Sequence, residues 1–181
     1  ALPIFPGYFW IFPLQDDLCN VGFGMLSEDI SSRKIDLKKS LKQIIQNSPE
    51  LSERFKHAVL ADDVKGFGLP LGGRPMAISG ERFMLCGDAA SLIDPLTGEG
   101  IGNAMLSGLY AARQAMDCFA KNDFSAREIK NYDEAVYRKL LPELRKNLMM
   151  QRAFNRPWLI NILVRIAIAF PGLKNWFAKK L

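Results

Sequence analysis

Asp88 and the glycines that follow it are the residues of this chain whose types and spacing could do chemistry. They lie in one stretch, Arg82–Gly108, which reads RFMLCGDAASLIDPLTGEGIGNAMLSG. A carboxylate at the end of a strand can accept two hydrogen bonds from a polyol or ribose hydroxyl. Glycines ahead of a helix let a flat or anionic ligand approach backbone N–H groups, where the helix dipole is positive. Together these features point to a cofactor site.

Three elements must position that site. Arg82–Cys86 has the length and residue types of a short buried strand. Gly87-Asp88-Ala89-Ala90 forms a tight turn, and a Pro- and Gly-rich loop runs from Asp94 to Gly102. A long helix is predicted from about Gly100 to Asn122, with Ala104, Leu106, Leu109, Ala112, Ala115, Met116 and Phe119 making it largely apolar. Gly98 and Gly100 do not form a GxGxxG dinucleotide fingerprint, because Asn103 stands at the third glycine position. The loop also lies several residues away from the preceding strand.

A second motif lies near the start. Gly7–Leu14 (GYFWIFPL) and Leu18–Leu26 (LCNVGFGML) are aromatic or apolar runs around Gln15-Asp16-Asp17. That pattern predicts a hairpin whose first strand ends at Pro13. Alternation would set Tyr8, Trp10 and Phe12 on one face, which equally suits a ligand cavity or an ordinary core strand.

These two stretches resemble the geranylgeranyl reductases, within the para-hydroxybenzoate-hydroxylase-like flavoproteins. GDAA followed by PLTGEGI matches that family's second FAD-binding motif, and Tyr8, Trp10, Phe12 and Pro13 reproduce its YxWxFP motif. The resemblance implies that Asp88 holds the ribityl chain beside Gly87, and that Pro95, Thr97, Gly98, Glu99, Gly100 and Ile101 line the flavin. It also implies that Tyr8, Trp10, Phe12 and Pro13 line a cavity for an isoprenoid chain. Flavin halogenases carry a related WxWxIP motif, and Phe12 in place of the isoleucine favours the reductases.

The implied activity is reduction of carbon–carbon double bonds in a polyprenyl lipid by hydride from flavin N5. FAD is the expected cofactor, with NAD(P)H or ferredoxin as electron donor. Alternatives are a flavin-dependent monooxygenase or halogenase on the same scaffold, or an inactive lipid- or membrane-binding fragment. No catalytic acid is identifiable. The family's strand–GxGxxG–helix unit for the ADP moiety is not in this sequence, so the chain reads as the C-terminal portion of a flavoprotein about twice as long.

Composition sets the outer limits. The chain has 181 residues, 49% hydrophobic and 24% charged, ordinary values for a globular protein with a real core. Three widely spaced cysteines without a CxxC, and one histidine, His57, argue against zinc and for reduced, cytoplasmic thiols. Pro3, Pro6 and Pro13 interrupt the apolar start, so no signal peptide is expected. Residues 1–125 carry 12 Lys and Arg against 15 Asp and Glu, a net of −3; residues 126–181 carry 12 against 4, a net of +8. The basic excess is therefore C-terminal, and no nucleic-acid motif accompanies it.

The remaining elements follow from periodicity and caps. Asp36–Asn47 reads as an amphipathic helix capped by Asp36, and Ser48-Pro49-Glu50 starts a short helix ending near His57, a surface residue. Val64–Leu71 is strand-like but interrupted by glycines, and Met76–Ser79 suits another short strand. Ser125–Glu128 forms a capping box for a helix with Ile129, Tyr132, Val136 and Leu140 on one face, which Pro142 should break or kink. Residues 158–170 (WLINILVRIAIAF) are too short to span a bilayer; with the basic segment 173–181 they form either a helical cap or a peripheral membrane anchor. The expected fold is α+β: a partial FAD-dependent oxidoreductase with an antiparallel or mixed substrate sheet, a core strand, a long flavin-side helix and a helical C-terminus. Residues 1–80 would bind substrate, 81–125 would complete the FAD-binding domain, and 126–181 would be helical.

Overall fold

The computed structural model describes residues 7–156 and Arg165. The chain divides into two compact units, Ala1–Gly68 and Leu69–Leu181. In the first, β1 (Gly7–Pro13) and β2 (Cys19–Met25) pair as an antiparallel hairpin, with Phe9 opposite Phe23 and Trp10 opposite Gly22. Asp16 and Asp17 both take positive φ, as the tight primed turns of hairpins require, and the Leu18 N–H closes the turn on the Gln15 carbonyl at 3.2 Å. Three helices follow: α1 (Ser27–Arg33), α2 (Leu37–Asn47) and α3 (Pro49–Arg54). Asp36 caps α2 through the Lys39 N–H at 3.0 Å, and Ser48 caps α3 with Pro49 in its first turn. Helix α1 was not expected; it has no side-chain cap, and its signal is Glu28 and Asp29 in the first turn.

The second unit is built on helices. Two short strands, β3 (Ser79–Gly80) and β4 (Phe83–Met84), form a tight antiparallel hairpin with Arg82 at φ 63°. The strand expected over Arg82–Cys86 is thus only two residues long, and Phe83 is half exposed. The Leu85 N–H still reaches the Ile78 carbonyl at 2.7 Å, which carries the pairing one step further. Val64–Leu71 forms no strand beyond a single parallel bridge from Leu71 to Ile93; a Cβ on Gly66 or Gly68 would meet open space, and Phe67 lies in solvent. A 3₁₀ turn, Gly87–Ala90, leads into the loop, followed by α4 (Ile101–Lys121) and α5 (Ala126–Phe154).

Helix α5 carries the core. Ile129, Tyr132, Val136, Leu140 and Leu144 recur at three- and four-residue spacing and are all buried, the last four packed with Ile78, Ala90 and Leu92. Ser125 caps the helix through the Glu128 N–H, but Glu128 turns its carboxylate to Lys121, so only half of the expected capping box forms. Pro142 does not break α5, which runs through it unbroken. Pro142 is exposed, so the Arg138 carbonyl that loses its N–H partner sits where water can replace it.

Helix α4 forms over Ile101–Lys121, where the sequence predicts a helix. Its buried residues are Ser107, Gln114 and Cys118, whereas Ile101, Met105, Leu109, Met116 and Phe119 are exposed. The whole is a mixed fold of helices and small antiparallel sheets. No described helix is long and apolar enough to cross a membrane, and no described group of His, Cys, Asp or Glu could hold a metal ion. The cap or anchor expected at 158–181 lies outside the described residues apart from Arg165.

Candidate functional site

The stretch from Leu85 to Glu99 is suspended from polar side chains of α4 and α5. Tyr132 donates to the Leu85 carbonyl at 2.6 Å and lies 3.5 Å from Cys86 Sγ. Burial, then the bond to Cys86, pushes the Tyr132 phenol far above its usual range, so it stays a neutral donor. Ser107 Oγ accepts the Gly87 N–H at 3.0 Å, and Asn103 Nδ2 donates to the Leu92 carbonyl at 2.7 Å. Gln151 donates to the Pro95 carbonyl, and Asn147 Nδ2 reaches Asp94 Oδ2 at 2.5 Å. The inner face of α4 thus gives Ser107 and Asn103 to backbone groups of this stretch, beside Leu106, Tyr110 and Ala111 packed on the core.

Asp94 organises the loop itself. Its Oδ1 accepts the N–H groups of Leu96 and Thr97 at 2.8 and 3.0 Å, and its own N–H closes on the Glu99 carbonyl at 2.8 Å. Burial alone would raise its carboxyl, but the bonds from Asn147, Thr97 and Leu96 outweigh that and hold it below the usual value. Asp94, Asn147 and Gln151 were not among the expected site residues. An Asx-type turn signal, Asp ahead of Pro and Thr, marks Asp94; nothing local marks the two α5 amides.

The turn brings Asp88 to the start of α4. Gly87 has φ +55°, and a Cβ there would lie 2.8 Å from the Ala104 Cβ, so close turn–helix packing demands glycine. A Cβ on Gly100 would lie 3.3 Å from Asp88 Oδ1. Asp88 is exposed, and no hydrogen bond from the described residues reaches its carboxylate. The first turn of α4 has no side-chain cap, and Gly102 has open space where a Cβ would point. An unsatisfied acceptor thus stands beside unsatisfied helix N–H donors. Of the other expected residues, Pro95 is buried in the loop, Gly98 supplies φ +76°, and Thr97, Glu99 and Ile101 are exposed around it. A polar cleft of about 200 Å³ lies between this loop and α5, lined by Thr97, Glu99, Asn103, Glu143 and Asn147 among others.

In the first unit, Tyr8, Trp10 and Phe12 form a ladder, with ring centroids 5.4 and 6.1 Å apart. Gly22 and Gly24 make room for it: a Cβ on Gly22 would overlap the Trp10 ring, and one on Gly24 would lie 3.1 Å from Tyr8. Trp10 Nε1 donates to Asn20 Oδ1 at 2.8 Å, and Pro13 ends the strand. A cavity of about 450 Å³ is bounded by Phe9, Phe23 and Met25 of the hairpin and by Ile35 and Ile44. Of the four expected residues only Tyr8 lines it.

Comparison with known proteins gives the site its context. No family model matches the sequence. The chain is 36% identical over 130 residues to the digeranylgeranylglycerophospholipid reductase of Thermoplasma volcanium, covering 72% of this chain and 31% of that protein. The crystal structure of a geranylgeranyl bacteriochlorophyll reductase-like protein from Thermoplasma acidophilum superposes with a TM-score of 0.65 at 32% identity, over 83% of this chain and 37% of that one. The chain is homologous to the geranylgeranyl reductases. Menaquinone reductase of Mycobacterium tuberculosis is a further relative, 37% identical over 110 residues, which is 60% of this chain and 26% of that protein. The matched residues span about a third of the length of the curated reductases.

Proposed function

We propose that this chain forms the flavin-facing portion of an FAD-dependent reductase of polyprenyl double bonds. One observation carries the reading: the free Asp88 carboxylate beside Gly100, at the open first turn of α4. Asp88 would accept the ribityl hydroxyls, and the first N–H groups of α4 would meet the electron-rich edge of the ring. Gly87, Pro95, Thr97, Gly98, Glu99 and Ile101 would shape the wall around them. Bound FAD would supply the hydride, and the protein would supply position and electrostatics. Relatives named for reducing a digeranylgeranyl glycerophospholipid support an isoprenoid lipid as the substrate class. A relative named for menaquinone supports a site that reads the polyprenyl chain rather than one headgroup.

The expected division of labour stays part of this proposal: 1–80 for substrate, with Tyr8, Trp10, Phe12 and Pro13 contacting the isoprenoid, 81–125 for flavin and 126–181 as helical support. So does the rest of the flavoprotein, which would supply the ADP-binding unit. The exposed apolar row on α4 supports that need, since a soluble helix rarely leaves such a row uncovered. In a flavoprotein of the relatives' full length, Asp88→Ala should weaken FAD retention about five- to a hundredfold, the loss of about 1–3 kcal/mol for a charge-assisted bond. Stability without FAD should be unchanged, because Asp88 has no protein partner among the described residues. Full FAD occupancy in the variant after dilution and gel filtration would defeat the assignment. The 181-residue chain alone should bind FAD no tighter than about micromolar, because the phosphate end has no helix N-terminus to meet here.

A further inference from the structure

We propose that the outward face of α5, from Arg138 to Arg156, docks this protein on an anionic lipid surface. At 100° per residue, Arg138, Arg145, Met149 and Arg152 fall on one line, opposite the buried Leu140 and Leu144. Lys139 and Lys146 flank that line, and Arg156 follows the helix end. All six cations are exposed, and none is in an ion pair among the described residues. The single acid of the stretch is Glu143, so its net charge of +5 equals that of the whole chain. A helix fixed by its buried side holds these cations in a row, with Glu143 as the one acid on its flank, near Lys139 and Lys146.

A polyanion would neutralise that row, and the apolar residue on the face chooses which kind. Met149 is 65% exposed in the middle of the row. A nucleic-acid backbone offers this side chain no apolar phase, whereas the headgroup–acyl boundary of a bilayer accepts both parts of such a face. The surface is distinct from residues 158–181 and from the flavin reading, so a failed FAD titration would leave it standing.

The test is flotation of the 181-residue chain with vesicles of phosphatidylglycerol and phosphatidylcholine in equal parts, against phosphatidylcholine alone. Binding should appear only with the anionic vesicles and should fall as salt is raised. Each cation removed should weaken it about fivefold, so Arg138→Gln, Arg145→Gln and Arg152→Gln together should weaken it about a hundredfold with circular dichroism unchanged. A matched triple, Lys174→Gln, Lys179→Gln and Lys180→Gln, removes as much charge from elsewhere. Equal loss in both triples would reduce the effect to net charge and overturn the assignment to α5. Duplex DNA bound as tightly, with the same dependence on the α5 arginines, would overturn the choice of lipid. Should the triple variant misfold, Arg145→Gln alone decides: about fivefold weaker binding supports the proposal, and wild-type binding sinks it.

Discussion

Helices α4 and α5 are neighbours built on opposite plans. Helix α5 buries Tyr132, Val136, Leu140 and Leu144 and shows charge to solvent, as amphipathic helices do. Helix α4 buries Ser107 and Gln114 and shows Ile101, Met105, Leu109, Met116 and Phe119. The exposed set falls on one side of the helix, at spacings of four, four, seven and three residues, with Ile101 at 81% and Phe119 at 74% exposure. Helix α4 meets one local demand with the polar part of its inner face: Ser107 and Asn103 satisfy the backbone of the Gly87–Leu92 turn, while Leu106, Tyr110 and Ala111 pack on the core beside them. Its apolar face is then free for something else, and a chain spanning a third of its relatives' length leaves room for that partner in the same fold.

The sharpest way to break this comparison is to truncate one apolar residue on each helix. Leu144→Ala should lower the stability of the 181-residue chain by about 2–5 kcal/mol, because Leu144 is 2% exposed. Met105→Ala, at 73% exposure, should change it by about 0.5 kcal/mol or less. Urea unfolding measures both. In a flavoprotein of the relatives' full length the Met105 effect should grow towards the Leu144 value. A large Met105 effect already in the 181-residue chain would mean that the α4 row is packed, and the contrast would collapse.

Two glycines at the turn–helix junction sharpen it next. Gly87→Ala forces a side chain into φ +55° and against Ala104, and should cost about 1–3 kcal/mol. Gly102→Ala meets open space in a helical position and should stabilise the chain by about 0.5–1 kcal/mol. The same substitution should weaken FAD binding in the full-length protein, since its methyl stands over the exposed helix N-terminus. Unchanged FAD affinity in Gly102→Ala would move the ligand away from that end of α4.

What the sequence revealed was local. The hairpin, the Asp36 and Ser48 caps, the Gly87–Ala90 turn and the start of α4 are each specified by residues close in the chain. Asn147 and Gln151 escaped because an amide on a polar helix, some fifty residues beyond the loop, looks like any solvated side chain. Helix α4 was legible as a largely apolar helix, but not which face it buries, because that depends on the backbone groups of the Gly87–Leu92 turn that Ser107 and Asn103 meet.

The smallest effect tests how far α5 governs the loop that α4 begins. Asp94 is held below its ordinary value of 3.8, with burial opposing and the bonds from Asn147, Thr97 and Leu96 prevailing. A carboxyl lowered by folding adds stability that is fully present above the unfolded value and is lost as pH falls through the folded one. The wild-type chain should therefore lose stability on acidification from about pH 3.8 downward. Asp94→Asn should flatten that slope by a fraction of a kcal/mol, about what a partly solvated group contributes. Asn147→Leu removes one lowering bond, which moves the folded value back up and makes the acid slope shallower, though less so than Asp94→Asn. Stability measured against pH by denaturant unfolding distinguishes the three proteins. An Asn147→Leu slope identical to the wild type, with Asp94→Asn flatter, would show that the amide of α5 only touches the loop, and that the loop holds its shape through its own Asx turn.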